Sequence, residues 1–180
     1  MIDAVKNMKL LFLIISMILF YACSERCESF PEKYKEYTPY EKGDVVRFEN
    51  TKGKNITFEV MDMNVREGNK RIPWNCKCVC ESDLSYNMYS SPNNITLQIT
   101  SDYTDNKNWS ISSKVYDSSD GRTYYAFYDC GTAQLSDTLI LSSSKKSNEI
   151  GTIKLVRGVG LVNLFIGGEE YTLIEGEKNE

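Results

Sequence analysis

The sequence predicts an all-β domain of about ten short antiparallel strands, folded as a meander barrel or as a β-sandwich. Three observations favour this class. From Asp44 onward, apolar and polar residues alternate with a period of two, which is the period of a half-buried strand. Turn-forming glycine, asparagine and serine residues recur at short intervals. After the first 22 residues, no segment has the periodicity and length of a stable helix.

The alternation divides the domain into short segments that are each predicted to be one strand. In the first segment Val46 and Phe48 share a face, and in the second Ile56, Phe58 and Val60 do so. The predicted strands span residues 44–50, 56–62, 76–81, 84–89, 95–100, 109–116, 122–130, 138–141, 150–156, 161–166 and 171–174.

Turn signals separate these strands. Asn50–Gly53 and Glu67–Asn69 are predicted to reverse the chain. Gly167-Gly168 suits a two-residue hairpin, because glycine reaches positive φ without steric cost. Successive hairpins favour a lipocalin-like meander barrel over a sandwich, because closing the sheet removes its exposed edges.

The chain begins with a predicted secretory signal peptide. Lys6 and Lys9 precede an apolar run from Leu10 to Phe20. This run is shorter than a membrane-spanning helix requires, and the positive residues before it are typical of a signal peptide. A retained anchor helix is the alternative.

The end of this segment, Leu19-Phe20-Tyr21-Ala22-Cys23, resembles the lipobox of bacterial lipoprotein signals, in the looser form of gut anaerobes. The resemblance implies cleavage before Cys23 and acylation of that residue, with palmitate among the acyl chains. It also implies anchoring at the outer membrane, on the periplasmic leaflet or the cell surface. Several acyl chains anchor a protein stably, whereas one gives marginal binding. A plain secretory signal with Cys23 in a disulfide is the alternative.

The predicted organisation has four parts in chain order. They are a signal peptide over 1–22, a lipid-anchored tether over 23–42, a single all-β domain over 43–176 and a polar tail over 177–180.

The tether is predicted to be exposed. Charged residues alternate with Tyr34, Tyr37 and Tyr40, and Pro31 and Pro39 disfavour a regular helix. In the alternative arrangement these tyrosines pack along the edge of the domain, and the tether is partly ordered.

Two parts of the chain resemble segments of uncharacterised small secreted β-domain lipoproteins. They are Pro39–Asp44 leading to Phe48, and Gly158–Leu161 leading to Tyr171–Leu173. The resemblance implies a β-domain on a lipid anchor and implies no activity.

Composition excludes several classes of function. The chain has no histidine, which excludes Ser-His-Asp and Cys-His catalysis and histidine-ligated zinc. Its net charge is −4 and it contains no basic run, which argues against nucleic-acid binding. Glycosidase chemistry needs only two carboxylates, but the scattered acidic residues single out no pair. The sequence therefore predicts no catalytic residue and no cofactor.

Three cysteines at alternate positions form the sharpest local pattern of the domain: Cys76, Cys78 and Cys80. In a strand they share one face, and the outer two lie about 13 Å apart, too far to bridge each other. Disulfides to Cys27 and Cys130 are therefore predicted, as an extracytoplasmic location permits. Lipidation at the lipobox leaves five cysteines and one unpaired thiol. A thiolate site for zinc or copper(I) is the alternative.

Four aromatic residues are candidates for ligand contact or for packing. Trp74 lies in a loop-like context and Trp109 opens a strand after a polar loop, positions from which tryptophan can stack on a sugar. Tyr124 and Tyr128 share one face of a strand that carries aromatic residues on both faces. That strand is predicted to be central or to line a cavity, and core packing is the simpler interpretation.

These observations predict a non-enzymatic binding or structural domain of the cell envelope, held at the membrane by its lipid anchor. The partner would be a small apolar ligand inside the barrel, a glycan or another envelope protein. The alternative is a secreted hydrolase or a protease inhibitor. For an inhibitor, Ile72–Asn75 beside the cysteines is the candidate loop.

Overall fold

The protein is a closed barrel of ten antiparallel strands. The computed structural model describes residues 29–71, 78–104, 108–131, 136–142 and 152–177. Each strand pairs with the next along the chain, and β1 closes the barrel by pairing with β10. The predicted all-β meander barrel is therefore confirmed, and the sandwich is not formed.

Among the described residues, one short helix precedes the strands. The elements are α1 Glu32–Lys35, β1 Val45–Asn50, β2 Asn55–Arg71, β3 Cys78–Ser90, β4 Ile95–Thr104, β5 Trp109–Asp117, β6 Arg122–Gly131, β7 Thr138–Ser142, β8 Thr152–Val156, β9 Gly160–Ile166 and β10 Glu169–Glu177.

Apolar side chains at alternate strand positions fill the barrel. Val46 and Phe48 are both buried, which confirms the shared face predicted from their spacing. Strand β4 shows the same alternation over its full length, with Leu97 and Ile99 inside. Alternation produces this arrangement because successive side chains of a strand point to opposite faces of the sheet.

The two ends of the barrel are built differently. At one end, here called the hairpin end, tight turns join successive strands, including residues 51–54, 91–94 and 118–121. Gly167 and Gly168 form one of these turns with φ of 59° and 82°, which confirms the predicted two-residue hairpin. The other end is called the plug end, because the segment before β1, residues 29–44, enters the barrel there.

Strand β2 is longer than predicted. The turn expected at Glu67–Asn69 is wrong, because β2 runs through these residues to Arg71. A β-bulge lies between Val60 and Asp62, so the register with β3 shifts there. Before the bulge, the even-numbered residues of β2 face inward. After it, Met63 stands opposite an inward-facing residue of β3, so the inward positions become odd-numbered.

Strand β3 is likewise continuous where two strands were predicted. Ser82 and Asp83 lie between the two predicted segments, and both remain paired with β2 and with β4. The polar side chains do not end the strand, because a barrel strand held by ladders on both sides tolerates them.

The segment predicted as an exposed tether is packed over its described part. Phe30, Tyr34, Tyr37 and Tyr40 are buried, with exposed fractions of 6 % or less. The prediction of exposure is therefore wrong for these four aromatic residues, whereas charged residues between them, such as Glu32 and Lys33, are exposed. The alternative, in which the tyrosines pack against the domain, describes this part of the chain. We call residues 29–44 the plug.

Candidate functional site

A stack of aromatic rings holds the plug inside the barrel. The rings of Tyr34 and Trp109 are parallel within 15°, with centroids 4.5 Å apart. Tyr37 stacks on the same indole at 5.4 Å, and Tyr103 contacts Tyr34 at 5.6 Å. The Trp109 indole N–H donates to the hydroxyl of Ser101 at 2.6 Å. Trp109 is therefore packed against two tyrosine rings and satisfied at its single polar atom.

A second contact locks the end of the plug to β9. The backbone N–H of Leu161 donates to the hydroxyl of Tyr40 at 2.5 Å. Gly160 has φ of 91°, and a Cβ at that position would lie 2.3 Å from the Tyr40 hydroxyl oxygen. Glycine is thus required twice, by its backbone conformation and by the approach of the ring. Burial raises the pKa of Tyr40, so its phenol stays protonated and neutral.

Polar contacts at the rim of the barrel complete the plug. The Arg157 guanidinium lies 3.3 Å from a carboxylate oxygen of Glu36 and 3.7 Å from one of Asp137. It also donates to the Tyr37 hydroxyl at 3.4 Å, and this hydrogen bond raises the pKa of Arg157. The backbone N–H of Gly158 donates to the Glu36 carbonyl at 2.7 Å. The β8–β9 turn is therefore bound to the plug through both backbone and side chains.

The structure places the predicted aromatic candidates mainly in the interior. Trp109 belongs to the plug stack and is fully buried, so it has no ring face free for a sugar. Tyr124 is buried, and its hydroxyl has no hydrogen-bond partner among the residues that the structure describes. Tyr128 is partly buried against the core. Trp74 lies outside the described residues.

The cysteine predictions stay predictions. Cys78 and Cys80 belong to β3, where their backbones pair with Arg71 and Asn69 of β2. Cys130 belongs to β6, at the position where the register with β5 shifts. The other predicted cysteines, Cys23, Cys27 and Cys76, lie outside the described residues, as does the candidate inhibitory loop over 72–75.

The outer wall of the barrel carries a shallow depression with exposed aromatic rings. It lies across β4, β5 and β6 and has a volume of about 330 Å³. Tyr125 is 58 % exposed and Phe127 is 48 % exposed. The polar residues around these rings are Gln98, Thr100, Ser112 and Lys114. The aromatic residues on both faces of β6 thus line the core on one side and this depression on the other.

A second depression lies across β7 to β10 and has a similar volume of about 330 Å³. Its apolar residues are Ile140 and Phe165, and its polar residues are Thr152, Lys154, Asn163 and Glu170. Sequence reasoning did not single out these residues. The signal for them was weak, because Ile140 and Phe165 are isolated apolar residues at outward positions of their strands.

Acidic residues gather on the outer wall near the plug end. Asp102 stands directly opposite Asp83 across the β3–β4 ladder, and Arg66 of β2 lies 3.2 Å from Asp83. Partial burial raises the pKa of Asp102, and the charges of Asp83 and Glu81 raise it further. This cluster lies outside both depressions, and its geometry is that of charged neighbours on a sheet surface.

Within the described ranges, no group of three or more acidic or cysteine residues has the geometry to hold a metal ion. Among the same residues, no helix has the length and hydropathy of a membrane span. Comparison with known proteins adds no relative: no protein-family model, no curated protein and no solved structure matches this chain.

Proposed function

We propose that the protein is a lipid-anchored cell-envelope protein whose barrel binds a glycan on its outer wall without catalysing a reaction. The observation that carries the proposal is the pair of exposed rings, Tyr125 and Phe127, over a shallow depression with amide, hydroxyl and ammonium groups around it. An exposed aromatic ring surrounded by hydrogen-bonding groups suits the mixed apolar and polar surface of a sugar.

The alternatives for the partner receive less support. A small apolar ligand inside the barrel would compete with the protein's own side chains, since the plug fills one end with buried aromatic rings. On the outward face of β7, exposed Ile140 lies between the outward polar residues Thr138 and Ser142. A sugar matches such alternation better than a continuous apolar protein interface does.

The plug supports an orientation relative to the membrane. Cys23, the proposed lipidated residue, precedes buried Phe30 by seven residues. A fully extended chain of that length spans at most about 25 Å. The plug end would therefore stay close to the bilayer, and the outer wall with both depressions would stand exposed beside it.

The anchor is tested by fractionation of cells that express the full chain. The wild type is expected in the membrane fraction with incorporated palmitate, and Cys23→Ser is expected to lose the label and leave that fraction. Membrane retention of Cys23→Ser without label would overturn the anchor.

The binding site is tested separately on a printed panel of bacterial and host polysaccharides. We expect the wild-type chain to bind at least one polysaccharide, and Tyr125→Ala and Phe127→Ala each to weaken that binding at least tenfold, since stacking on a ring is lost. Tyr116→Ala is the matched control, because Tyr116 is also an exposed outer-wall tyrosine, at 42 %, but lies outside both depressions. Equal loss in all three variants, or no binding by the wild type, would contradict the glycan site.

A further inference from the structure

Strand β2 continues past the point where its neighbour β1 begins, and this leaves one of its edges open. The last backbone hydrogen bonds on that side join Val60 to Gly43 and to Asp44, at 2.8 and 2.9 Å. Beyond them, residues 61–67 pair with β3 on the other side. Among the residues that the structure describes, no strand pairs with residues 61–67 on the β1 side.

The open edge is long and exposed on both of its faces. All residues over 61–67 are exposed, and Met63 and Val65 each leave 42 % of their surface open to solvent. A stretch of this length spans about 24 Å as a strand. Proteins protect such edges with charged residues, prolines or β-bulges, because an unpaired edge is a template for another strand. Over 61–67 this edge has no proline or lysine. It has a bulge at its start and three charged residues, Asp62, Arg66 and Glu67.

The charges on the edge are complementary to themselves. Asp62 and Arg66 lie on the same face of β2, two positions to either side of Asn64. If two copies of the strand pair antiparallel about a two-fold axis at Asn64, each Asp62 stands opposite the partner's Arg66. The same register places Met63 opposite the partner's Val65 on the other face.

We propose that residues 61–67 form the two-fold interface of a homodimer, in which the β2 edges of two barrels pair antiparallel about Asn64. With the axis at Met63 or at Val65, Asp62 and Arg66 would each stand opposite an uncharged residue. Of these three registers, only the one centred on Asn64 pairs the two charges. Arg66 already lies 3.2 Å from Asp83 and is 79 % exposed. Its guanidinium has five donors and can donate to a second carboxylate, that of the partner.

The proposal is tested by charge reversal on the full chain, with its mass measured by sedimentation in a density-matched detergent. Asp62→Arg alone and Arg66→Asp alone each place like charges opposite each other at two symmetry-related positions. Each is expected to raise the dimer dissociation constant about 10- to 30-fold, because cross-strand attraction becomes repulsion. The double variant Asp62→Arg/Arg66→Asp restores complementarity and is expected to return within about threefold of the wild type.

The matched control is Lys54→Glu, which reverses an exposed charge in the β1–β2 turn at the hairpin end, away from this edge. It is expected to leave the dissociation constant unchanged. A wild-type chain that is monomeric at all concentrations would overturn the proposal. A dimer that tolerates both single reversals, or that the double variant fails to restore, would place the interface elsewhere and would overturn it equally. Circular dichroism of each variant separates a loss of dimer from a loss of fold.

Discussion

The plug end and the hairpin end of the barrel are held together by different kinds of contact. At the plug end, rings from residues 34–40 stack on Trp109 and abut Gly160, so the contacts join parts of the chain that are far apart in sequence. At the hairpin end, Asn50 accepts hydrogen bonds from the backbone of Lys52 and Lys54, two and four residues away. Local contacts predominate at the hairpin end, whereas long-range packing holds the plug end together.

The hairpin end also has longer-range contacts, including a cluster centred on Glu169. Its carboxylate accepts hydrogen bonds from Asn50 at 2.8 Å, Lys52 at 2.7 Å and Tyr171 at 3.1 Å, which ties β1 to β10. The Lys52 hydrogen bond lowers the pKa of Glu169. Burial and the contact with this carboxylate raise the pKa of Tyr171 to about 12. Polar turns therefore set the register at this end, whereas buried rings fix the plug.

The largest effect is expected at the plug stack. Trp109→Ala removes the ring on which Tyr34 and Tyr37 stack and leaves the Ser101 hydroxyl without its donor. The free energy of unfolding should fall by about 3–5 kcal/mol. Urea denaturation followed by circular dichroism measures it. A loss below about 1 kcal/mol would mean that the stack does not hold the plug.

A smaller but sharper effect is expected at Gly160. Gly160→Ala places a Cβ against the Tyr40 ring at positive φ, whereas Gly158→Ala meets only the backbone strain, since nothing lies within 4 Å of its Cβ. Gly160→Ala should therefore be about 1–3 kcal/mol more destabilising than its matched control. Equal melting temperatures for the two variants would contradict the close approach of Tyr40.

At the hairpin end, Asn50→Ala removes an acceptor from two backbone N–H groups and a donor to Glu169. We expect the free energy of unfolding to fall by about 1–2 kcal/mol, which is less than the loss expected for Trp109→Ala. Lys54→Ala is the control, because it keeps the backbone N–H that donates to Asn50. If denaturant titration shows a larger loss of unfolding free energy for Asn50→Ala than for Trp109→Ala, the expected ranking of the two ends is wrong.

The smallest effect, and the only gain, is expected from Asp102→Asn. Asp102 faces Asp83 directly, and like charges opposite each other destabilise a sheet by a few tenths of a kcal/mol. The free energy of unfolding of the variant should be about 0.5 kcal/mol higher than that of the wild type at neutral pH. Because the pKa of Asp102 is raised in the folded state, its destabilising charge disappears as the pH falls through that pKa. Melting curves of variant and wild type should therefore converge at low pH and separate at neutral pH.

What could be predicted from sequence follows the same division. Gly167-Gly168 and the alternation of Val46 and Phe48 are local signals, and the structure confirms both. The course of β2 was missed, although the sequence holds a sign of it. Its apolar residues switch from even positions ending at Val60 to odd positions beginning at Met61, which is the pattern that a bulge produces.

The plug could not be predicted from sequence in the same way. Tyr34, Tyr37 and Tyr40 recur every third residue, a spacing that does not fit a strand, and the flanking Pro31 and Pro39 disfavour a regular helix. Their burial depends on Trp109 and Leu161, whose positions are set by closure of the whole barrel. The outer-wall depressions depend equally on closure, because their linings come from three or four different strands.

The docking of the plug against the β8–β9 turn has a consequence for the order of folding. Residues 29–44 are synthesised before any strand, yet Gly158 and Leu161, which bind them, are among the last parts of the barrel to be made. β1 must also wait for β10. Early hairpins can form as the chain emerges, but the closing step pairs the first and last strands of the barrel and makes folding slow. Until then the plug tyrosines stay exposed, which is the interval in which a chaperone would bind them.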